Sequence, residues 1–327
     1  MSRNFWISAF AIVGLSLGLT TQGTPALAAA EGSFHRSLSV NGHVDLDITS
    51  GSGSITIRPG AVDKVEITGN IRVSDWFDSG AQEKLRRLEN NPPVQQSGNS
   101  IRIGHMREFS FFRNVSISYD IAVPPDTELK SHTGSGSQTV DGVRGPVDCD
   151  AGAGSVRATN IGNTVHAETG SGDIVLEHIK GNVRAHVGSG SIRAEDVSGG
   201  FEGNTGSGRI SLAQSAPGAV RAETGSGGME LRGVRGSLEA RAGSGGISAE
   251  GQPSGGWMVH SGSGPIKLRF PNDAAFDLNA RTSSGSISVD HPVTVQGQIG
   301  RKEIRGRVRG GGVPVDVQTG SGNIQIL

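Results

Sequence analysis

Apolar and polar residues alternate along this chain on both sides of a recurring Gly-Ser-Gly triplet. In one unit, Val165–Thr169 leads to the triplet Gly170–Gly172, and Asp173–Glu177 follows it. An alternation with a period of two residues is typical of a β-strand with one buried face. Glycine at the triplet permits a positive φ angle or a close approach of two backbones. The pattern therefore predicts two short strands joined at a glycine corner in each unit.

The triplet, or a near variant of it, recurs at nearly constant spacing. Between Gly134 and Gly262 successive triplets start 18 or 19 residues apart, and the next step, to Ser283, is 21 residues. The last step is 37 residues, which we interpret as two stacked units with one turn signature missing. The predicted repeat corners start at Gly134, Gly152, Gly170, Gly188, Gly206, Gly225, Gly243, Gly262 and Gly320.

Stacking of such units would place equivalent residues in columns about 4.8 Å apart. The column three residues before each corner stays small: Cys149, Ala167, Ala185, Gly203, Ala222, Ala240 and Val259. A column after the corner stays aliphatic or Met: Val156, Ile174, Ile192, Ile210, Met229, Ile247 and Ile266. Columns this consistent predict an all-β fold, a parallel β-solenoid of about 18-residue coils over residues 131–327. Antiparallel hairpins, the alternative, would not need constant spacing.

The outward positions next to these columns are polar, and their charges largely alternate in sign from coil to coil. One outward column reads Asp148, His166, Arg184, Glu202, Arg221 and Glu239. Opposite charges on adjacent strands attract, whereas like charges repel. We interpret the column as a feature that fixes the register of the coils, with no sign of a catalytic cleft.

Residues 31–130 differ from the repeats and are predicted to be opening rungs that carry a cap. A helix is predicted over Ser79–Asn91, because Ser79 and Gln82 form a capping-box pattern and Pro92-Pro93 would end it. Terminal coils of a solenoid need such a cap, since an open sheet edge invites aggregation.

The first 28 residues are predicted to be a signal peptide. Arg3 precedes a 15-residue apolar run, Phe5–Leu19, and the triplet Ala26–Ala28 matches an A-x-A cleavage site. Cleavage is placed after Ala28, with cleavage after Ala30 as the alternative. An uncleaved membrane anchor is the alternative, although the run is short for a span of about 20 residues. The mature chain is therefore expected to be exported, periplasmic or extracellular, and not integral to a membrane.

Composition narrows the classes of protein further. Glycine accounts for 52 of 327 residues, but without the three-residue period of collagen. The formal net charge of −1 argues against nucleic acid as a partner, and the single cysteine, Cys149, rules out a disulfide framework. One basic segment stands out, in which Arg305, Arg307 and Arg309 share a predicted strand face. Such a face is compatible with lipid headgroups or an anionic glycan, although a solvated strand is the simpler interpretation.

The segment Ser116–Pro124 leads through Leu129 to Thr133–Gly136, and Gly-Ser-Gly-x-Ile units follow. This arrangement resembles the putative-adhesin β-strand-repeat domain family of bacterial envelope proteins, a domain of unknown function. The resemblance covers residues 35–327 and implies a β-helical fold and an adhesin-like role. No catalytic residues are implied by it.

Candidate chemistry is sparse in the repeats. Asp173 is the one aspartate among six residues that follow the corners, which does not make a calcium ladder. Asp150, Glu168 and His186 are successive outward residues that could share a transition metal, but a solvated face is the favoured interpretation. We therefore expect no enzyme, no metal, no cofactor and no small-molecule substrate.

Two classes of function remain. The first is an adhesin-like protein or envelope scaffold that presents a repetitive polar surface to a protein or a surface glycan. The second is a periplasmic sensor or regulatory domain that acts on a membrane signalling protein.

Overall fold

The computed structural model describes residues 30–74, 80–105, 114–295, 300 and 302–327. The predicted signal peptide and its cleavage site at Ala28 lie outside the described residues. Within the described ranges, 29 strands form two long sheets, which we call the first sheet (14 strands) and the second sheet (15 strands). The same ranges contain no helix long and apolar enough to cross a membrane.

The N-terminal part combines seven strands with one helix. These elements are β1 (Ala30–Ser39), β2 (Val44–Ser52), β3 (Ile55–Pro59), β4 (Lys64–Val73), α1 (Ala81–Asn90), β5 (Val94–Ser97), β6 (Ser100–Ile103) and β7 (Val115–Val123). Strands β1, β4 and β7 form an antiparallel end to the first sheet. Helix α1 packs against β1 and buries Leu85 and Leu88. The helix starts one residue later than the capping-box pattern indicates, since its N-cap is Gly80, which makes no side-chain cap; Ser79 lies outside the described residues.

The repeat region consists of coils that each contribute one strand to each sheet. Its strands in the second sheet are β8 (Thr127–Ser135), β10 (Val147–Ala153), β12 (Val165–Ser171), β14 (Val183–Ser189), β16 (Phe201–Ser207), β18 (Val220–Ser226), β20 (Leu238–Ser244) and β22 (Trp257–Ser263). Its strands in the first sheet are β9 (Gln138–Asp141), β11 (Val156–Ile161), β13 (Ile174–Ile179), β15 (Ile192–Val197), β17 (Ile210–Gln214), β19 (Met229–Val234), β21 (Ile247–Gly251) and β23 (Ile266–Arg269).

The pairing in this region confirms the predicted parallel β-solenoid. Strand β10 pairs in parallel with β12, and Cys149 lies opposite Ala167, one 18-residue step along the chain. Ile192 lies opposite Ile210 in the first sheet. Both predicted columns point inward, and Cys149 and Ile210 are fully buried. Alternation therefore fixes the core, because each inward side chain stacks on an equivalent apolar side chain of the next coil.

The C-terminal strands do not continue this simple order. They are β24 (Phe276–Ser284), β25 (Ile287–Val289), β26 (Val293–Val295), β27 (Glu303–Val308), β28 (Val313–Ser321) and β29 (Ile324–Ile326). The last coil, β28–β29, lies between coil β22–β23 and coil β24–β25, which are consecutive in the chain. Our interpretation of the 37-residue step as two stacked units with a missing turn is therefore wrong. The step contains the antiparallel pair β26–β27 and a return into the sheets.

The first coil is intercalated in the same way. Coil β2–β3 lies between β6–β7 and coil β8–β9, although these are consecutive in the chain. Two connections, residues 124–126 and 270–275, therefore each pass over an inserted coil. As a result, the first and the last coil both have strand partners on each side.

Candidate functional site: a charged groove along the second sheet

A long groove runs across eight neighbouring strands of the second sheet, from β8 to β22. At about 4.8 Å per strand this corresponds to a length of about 34 Å. Its volume is about 1130 Å³. The turns that precede the strands line one part of it with Pro146, Thr164, Asn182, Gly200, Ala219, Ser237 and Gly256. The first outward side chains line the other part, with Asp148, His166, Arg184, Glu202, Arg221, Glu239 and Met258.

The charges that line the groove balance one another. Four carboxylates (Glu128, Asp148, Glu202 and Glu239) face four cationic side chains (Lys130, Arg184, Arg221 and Arg241). The groove therefore attracts neither a polyanion nor a polycation over a long range.

Most of these charges form ion pairs, either between adjacent coils or along one strand. Arg184 Nε donates to Glu202 Oε2 at 3.0 Å, and Arg221 Nη1 donates to Glu239 Oε2 at 2.9 Å. Arg241 Nη1 lies 2.6 Å from Glu239 Oε1. A guanidinium group has five N–H donors and a carboxylate has about four acceptor sites, so each pair keeps capacity for a ligand. The pairs contribute little to stability because they are exposed to solvent.

The groove adds a feature that the alternation alone did not indicate. The outward column from Asp148 to Glu239 was interpreted only as a register device, and the structure shows that it is also one wall of a groove. Met258 and Arg241 were not among the candidate residues. Their signal in the sequence is weak: Met258 is a large apolar side chain at an outward position, and it is half exposed.

The possible metal ligands Asp150, Glu168 and His186 lie opposite one another on adjacent strands, as predicted, but the two carboxylates have other partners. Asp150 Oδ2 lies 2.9 Å from His132 Nδ1, and Glu168 Oε1 lies 2.9 Å from His166 Nε2. These two carboxylates thus each have a histidine partner other than His186. Within the part of the chain that the structure describes, His43, Asp45 and Glu128 instead bring their donor atoms within 4.8 Å of one another. This group is largely solvent-exposed, and its three donors could hold a divalent cation.

Each Gly-Ser-Gly corner uses its two glycines for different purposes. A Cβ atom on the first glycine, such as Gly170, would lie 2.5 Å from the carbonyl oxygen of Gly152 in the preceding coil. The third residue, such as Gly172, has a φ angle of 136°, which other residues rarely adopt. Each of the nine predicted corner glycines is the first of its triplet, where a Cβ atom would lie too close to the backbone of the adjacent coil: Gly134, Gly152, Gly170, Gly188, Gly206, Gly225, Gly243, Gly262 and Gly320.

A buried hydroxyl group supports most of these corners. Thr169 Oγ1 donates to the carbonyl of Gly154 at 2.8 Å, and Thr205 Oγ1 donates to the carbonyl of Gly190 at the same distance. In each case the acceptor is the third glycine of the preceding corner. The hydroxyl thereby satisfies a carbonyl group at a point where the chain leaves the strand.

The basic segment is divided between a strand and a turn. Arg305 and Arg307 lie exposed on β27, where Arg305 Nε is 2.8 Å from Glu303 Oε1 and Arg307 Nε is 3.9 Å from Asp277 Oδ1. Arg309 lies after the end of β27 and has a φ angle of 48°. The expectation that all three arginines share one strand face is therefore wrong for Arg309, because the chain turns there.

Cys149, His178 and Asp196 have altered pKa values. Burial raises the pKa of the Cys149 thiol to about 12, so the thiol stays protonated and inert. On the surface, His178 Nδ1 lies 2.8 Å from Asp196 Oδ2. This hydrogen bond raises the pKa of His178 and lowers that of Asp196.

Solved structures that align with the chain are distant from it. A putative cell adhesion protein from Clostridium sporogenes ATCC 15579 is 11% identical, with 91% of this chain and 99% of that chain covered and a TM-score of 0.21. A putative adhesin from Bacteroides fragilis NCTC 9343 is 12% identical, with 90% and 97% covered and a TM-score of 0.29. No curated protein matches the chain.

The match to a protein family is more extensive. The profile of the Toastrack DUF4097 family matches residues 43–327, which include both intercalated coils, the repeat region and the groove. This match confirms the resemblance drawn from the repeats. The chain therefore belongs to the Toastrack DUF4097 family.

Proposed function

We propose that this protein is a non-enzymatic, exported, adhesin-like scaffold that binds an extended, uncharged glycan in the groove of the second sheet. The observation that carries the proposal is the groove itself, which crosses eight strands and has a volume of about 1130 Å³. A groove of this length suits a polymer better than a small molecule. Export is the expected consequence of the predicted signal peptide.

The balance of charge favours an uncharged ligand. Four carboxylates and four cationic side chains line the groove, so a polyanion would meet as much repulsion as attraction. Hydroxyl groups of a sugar both donate and accept hydrogen bonds. Guanidinium and carboxylate groups alternate from Arg184 to Glu239, so that neighbouring coils together offer both partners.

The pairing of these groups favours binding over catalysis. Glu202 and Glu239 accept hydrogen bonds from Arg184 and Arg221, respectively. Both carboxylates are already engaged by a guanidinium group, and their remaining acceptor sites can meet the hydroxyl groups of a sugar. The groove thus suits recognition of hydroxyl groups.

The proposal can be tested with a panel of neutral and acidic polysaccharides in affinity electrophoresis. Arg184→Gln and Arg221→Gln each remove the guanidinium fork from the groove. We expect each variant to bind a neutral polysaccharide about 10- to 150-fold more weakly, because a hydrogen bond to a charged group contributes about 1.5–3 kcal/mol. Arg193→Gln is the matched control, since Arg193 has a similar ion pair with Glu195 on the opposite sheet.

An equal loss of affinity in the control would place the ligand elsewhere. Binding of acidic polysaccharides only would contradict the role of charge balance. Failure to bind any polysaccharide, together with capture of one membrane protein from the native envelope, would support the sensor alternative. Sequencing of the exported protein tests the other part of the proposal, and we expect a new N-terminus at Ala29.

A further inference from the structure

The last coil of the chain is held by hydrogen bonds on both sides. On one side, Gly264 N donates to Ser321 O at 2.7 Å and Ile266 N donates to Asn323 O at 2.9 Å. On the other side, Gly322 N donates to Ser284 O and Ile324 N donates to Ser286 O, each at 2.9 Å. The space between coil β22–β23 and coil β24–β25, which we call the slot, is thus a site for a strand–corner–strand segment.

Side chains make the slot selective for this segment. Thr319 Oγ1 of the last coil donates to the carbonyl of Gly264 at 2.9 Å, and Thr282 Oγ1 of the slot donates to the carbonyl of Gly322 at 3.0 Å. Asn279 Nδ2 donates to Asp316 Oδ1 at 2.7 Å. The inward residues of the segment are fully or almost fully buried: Val315, Val317, Ile324 and Ile326. A segment must therefore match the slot in hydroxyl, glycine and apolar positions.

The connection that enters the slot is conformationally unusual. Arg309, Gly310 and Gly311 follow β27 and have φ angles of 48°, 90° and 88°. Three successive positive φ angles reverse the chain so that β28 can return beside β24. An extended connection between β27 and β28 would not need these angles.

We propose that the slot also binds residues 313–327 of a second copy of this chain, so that two copies exchange their last coils about Arg309–Gly312. The exchanged form keeps every contact of the slot, because the incoming segment has the same sequence. It differs in the connection, which becomes extended. The balance between the two forms is then set by protein concentration and by the cost of the closed connection.

Cross-linking distinguishes the two forms in the full chain. Ser263 and Ser321 are exposed partners on adjacent parallel strands, at a spacing that a disulfide can bridge. We would introduce Ser263→Cys and Ser321→Cys into a Cys149→Ala background, in two versions of different mass. The two versions are refolded together at high protein concentration and then oxidised. Exchange predicts a covalent dimer that contains one chain of each mass.

The pair Ser244→Cys and Ser263→Cys is the matched control. These residues are also exposed partners on adjacent strands, but neither belongs to the exchanged segment. This pair should close within one chain under all conditions, which also shows that the coils have folded. If Ser263→Cys with Ser321→Cys likewise gives only the intrachain disulfide, the proposal is wrong.

A second variant tests the role of the connection. Gly310→Ala adds a Cβ atom that meets no other atom within 4 Å, so it acts through the φ angle alone. A positive φ angle is unfavourable for alanine, and we expect the dimer fraction to rise by roughly tenfold. Gly42→Ala is the control, because Gly42 has a φ angle of 83° and equally open surroundings. An equal response to both substitutions would overturn the proposal.

Discussion

Replacement of Thr205 by valine tests the buried hydroxyl groups that support the corners. Thr205 is buried, and its Oγ1 donates to the carbonyl of Gly190 in the preceding coil at 2.8 Å. Valine has nearly the same shape, so the packing of the column should survive. The change removes one hydrogen bond and leaves the Gly190 carbonyl without this donor.

The expected cost follows from two opposing effects. Loss of a partner from a buried polar group costs about 1–3 kcal/mol. The additional buried methyl group contributes about 0.8 kcal/mol of stability in return. We therefore expect Thr205→Val to lower the free energy of unfolding by about 0.2–2 kcal/mol.

Urea unfolding followed by circular dichroism measures this difference. Thr205→Ser is the matched control, since Ser261 occupies the equivalent position in another coil and donates to the carbonyl of Gly245 at 2.9 Å. Serine should keep the hydrogen bond and lose only the methyl contribution. The opposite substitution, Val187→Thr, adds a hydroxyl group to the same column and should change the free energy of unfolding very little. If Thr205→Val were as stable as the wild type while Thr205→Ser were not, the hydroxyl would have no role at the corner.

Three other predictions test the core, the buried thiol and the surface ion pair. Ile210→Asp should destabilise the protein by several kcal/mol, because Ile210 is fully buried, whereas Ser211→Asp should be nearly silent in a thermal melt. Cys149 should react with a thiol reagent only after denaturant is added; fast labelling of the native protein would contradict its burial. The pair of His178 and Asp196 should stabilise the fold most between about pH 4 and pH 6.5. The stabilisation that His178 provides is lost as the pH rises through its raised pKa, and the stabilisation that Asp196 provides is lost as the pH falls through its lowered pKa. The free energy of unfolding of a His178→Asn variant should therefore differ from that of the wild type more at pH 5 than at pH 8.

The sequence was sufficient to predict the register of the repeats but not the order of all coils. Register follows from local alternation and constant spacing, and both are visible in residues such as Cys149 and Ala167. Coil order at the C-terminus depends on contacts between distant segments. The corners at Ser283 and Gly320 have similar sequences, so the pattern does not show which one stacks on Gly262. The structure places Gly320 there.

Only one wall of the candidate groove could be predicted from the sequence. The outward column that includes Arg184 and Arg221 follows from alternation, and the structure places it on the surface as expected. The turns before the strands, such as those at Pro146 and Pro217, line the rest of the groove. The shape of a turn depends on backbone angles, which a polar and apolar pattern does not specify. The prediction that Arg309 lies on the same strand face as Arg305 and Arg307 was wrong for this reason. The φ angle of Arg309 is 48°, which ends the strand.

The position of the last coil also has a consequence for the timing of folding. Both neighbours of β28–β29 precede it in the chain, and its core residues extend to Ile326. A chain that emerges from its N-terminus during synthesis cannot complete its sheets until residues 313–327 are free. A product that stops short of residue 313 would leave unpaired strand edges on both sides of the slot, and such edges favour aggregation. Synthesis of residues 313–327 is therefore a condition for closure of the sheets.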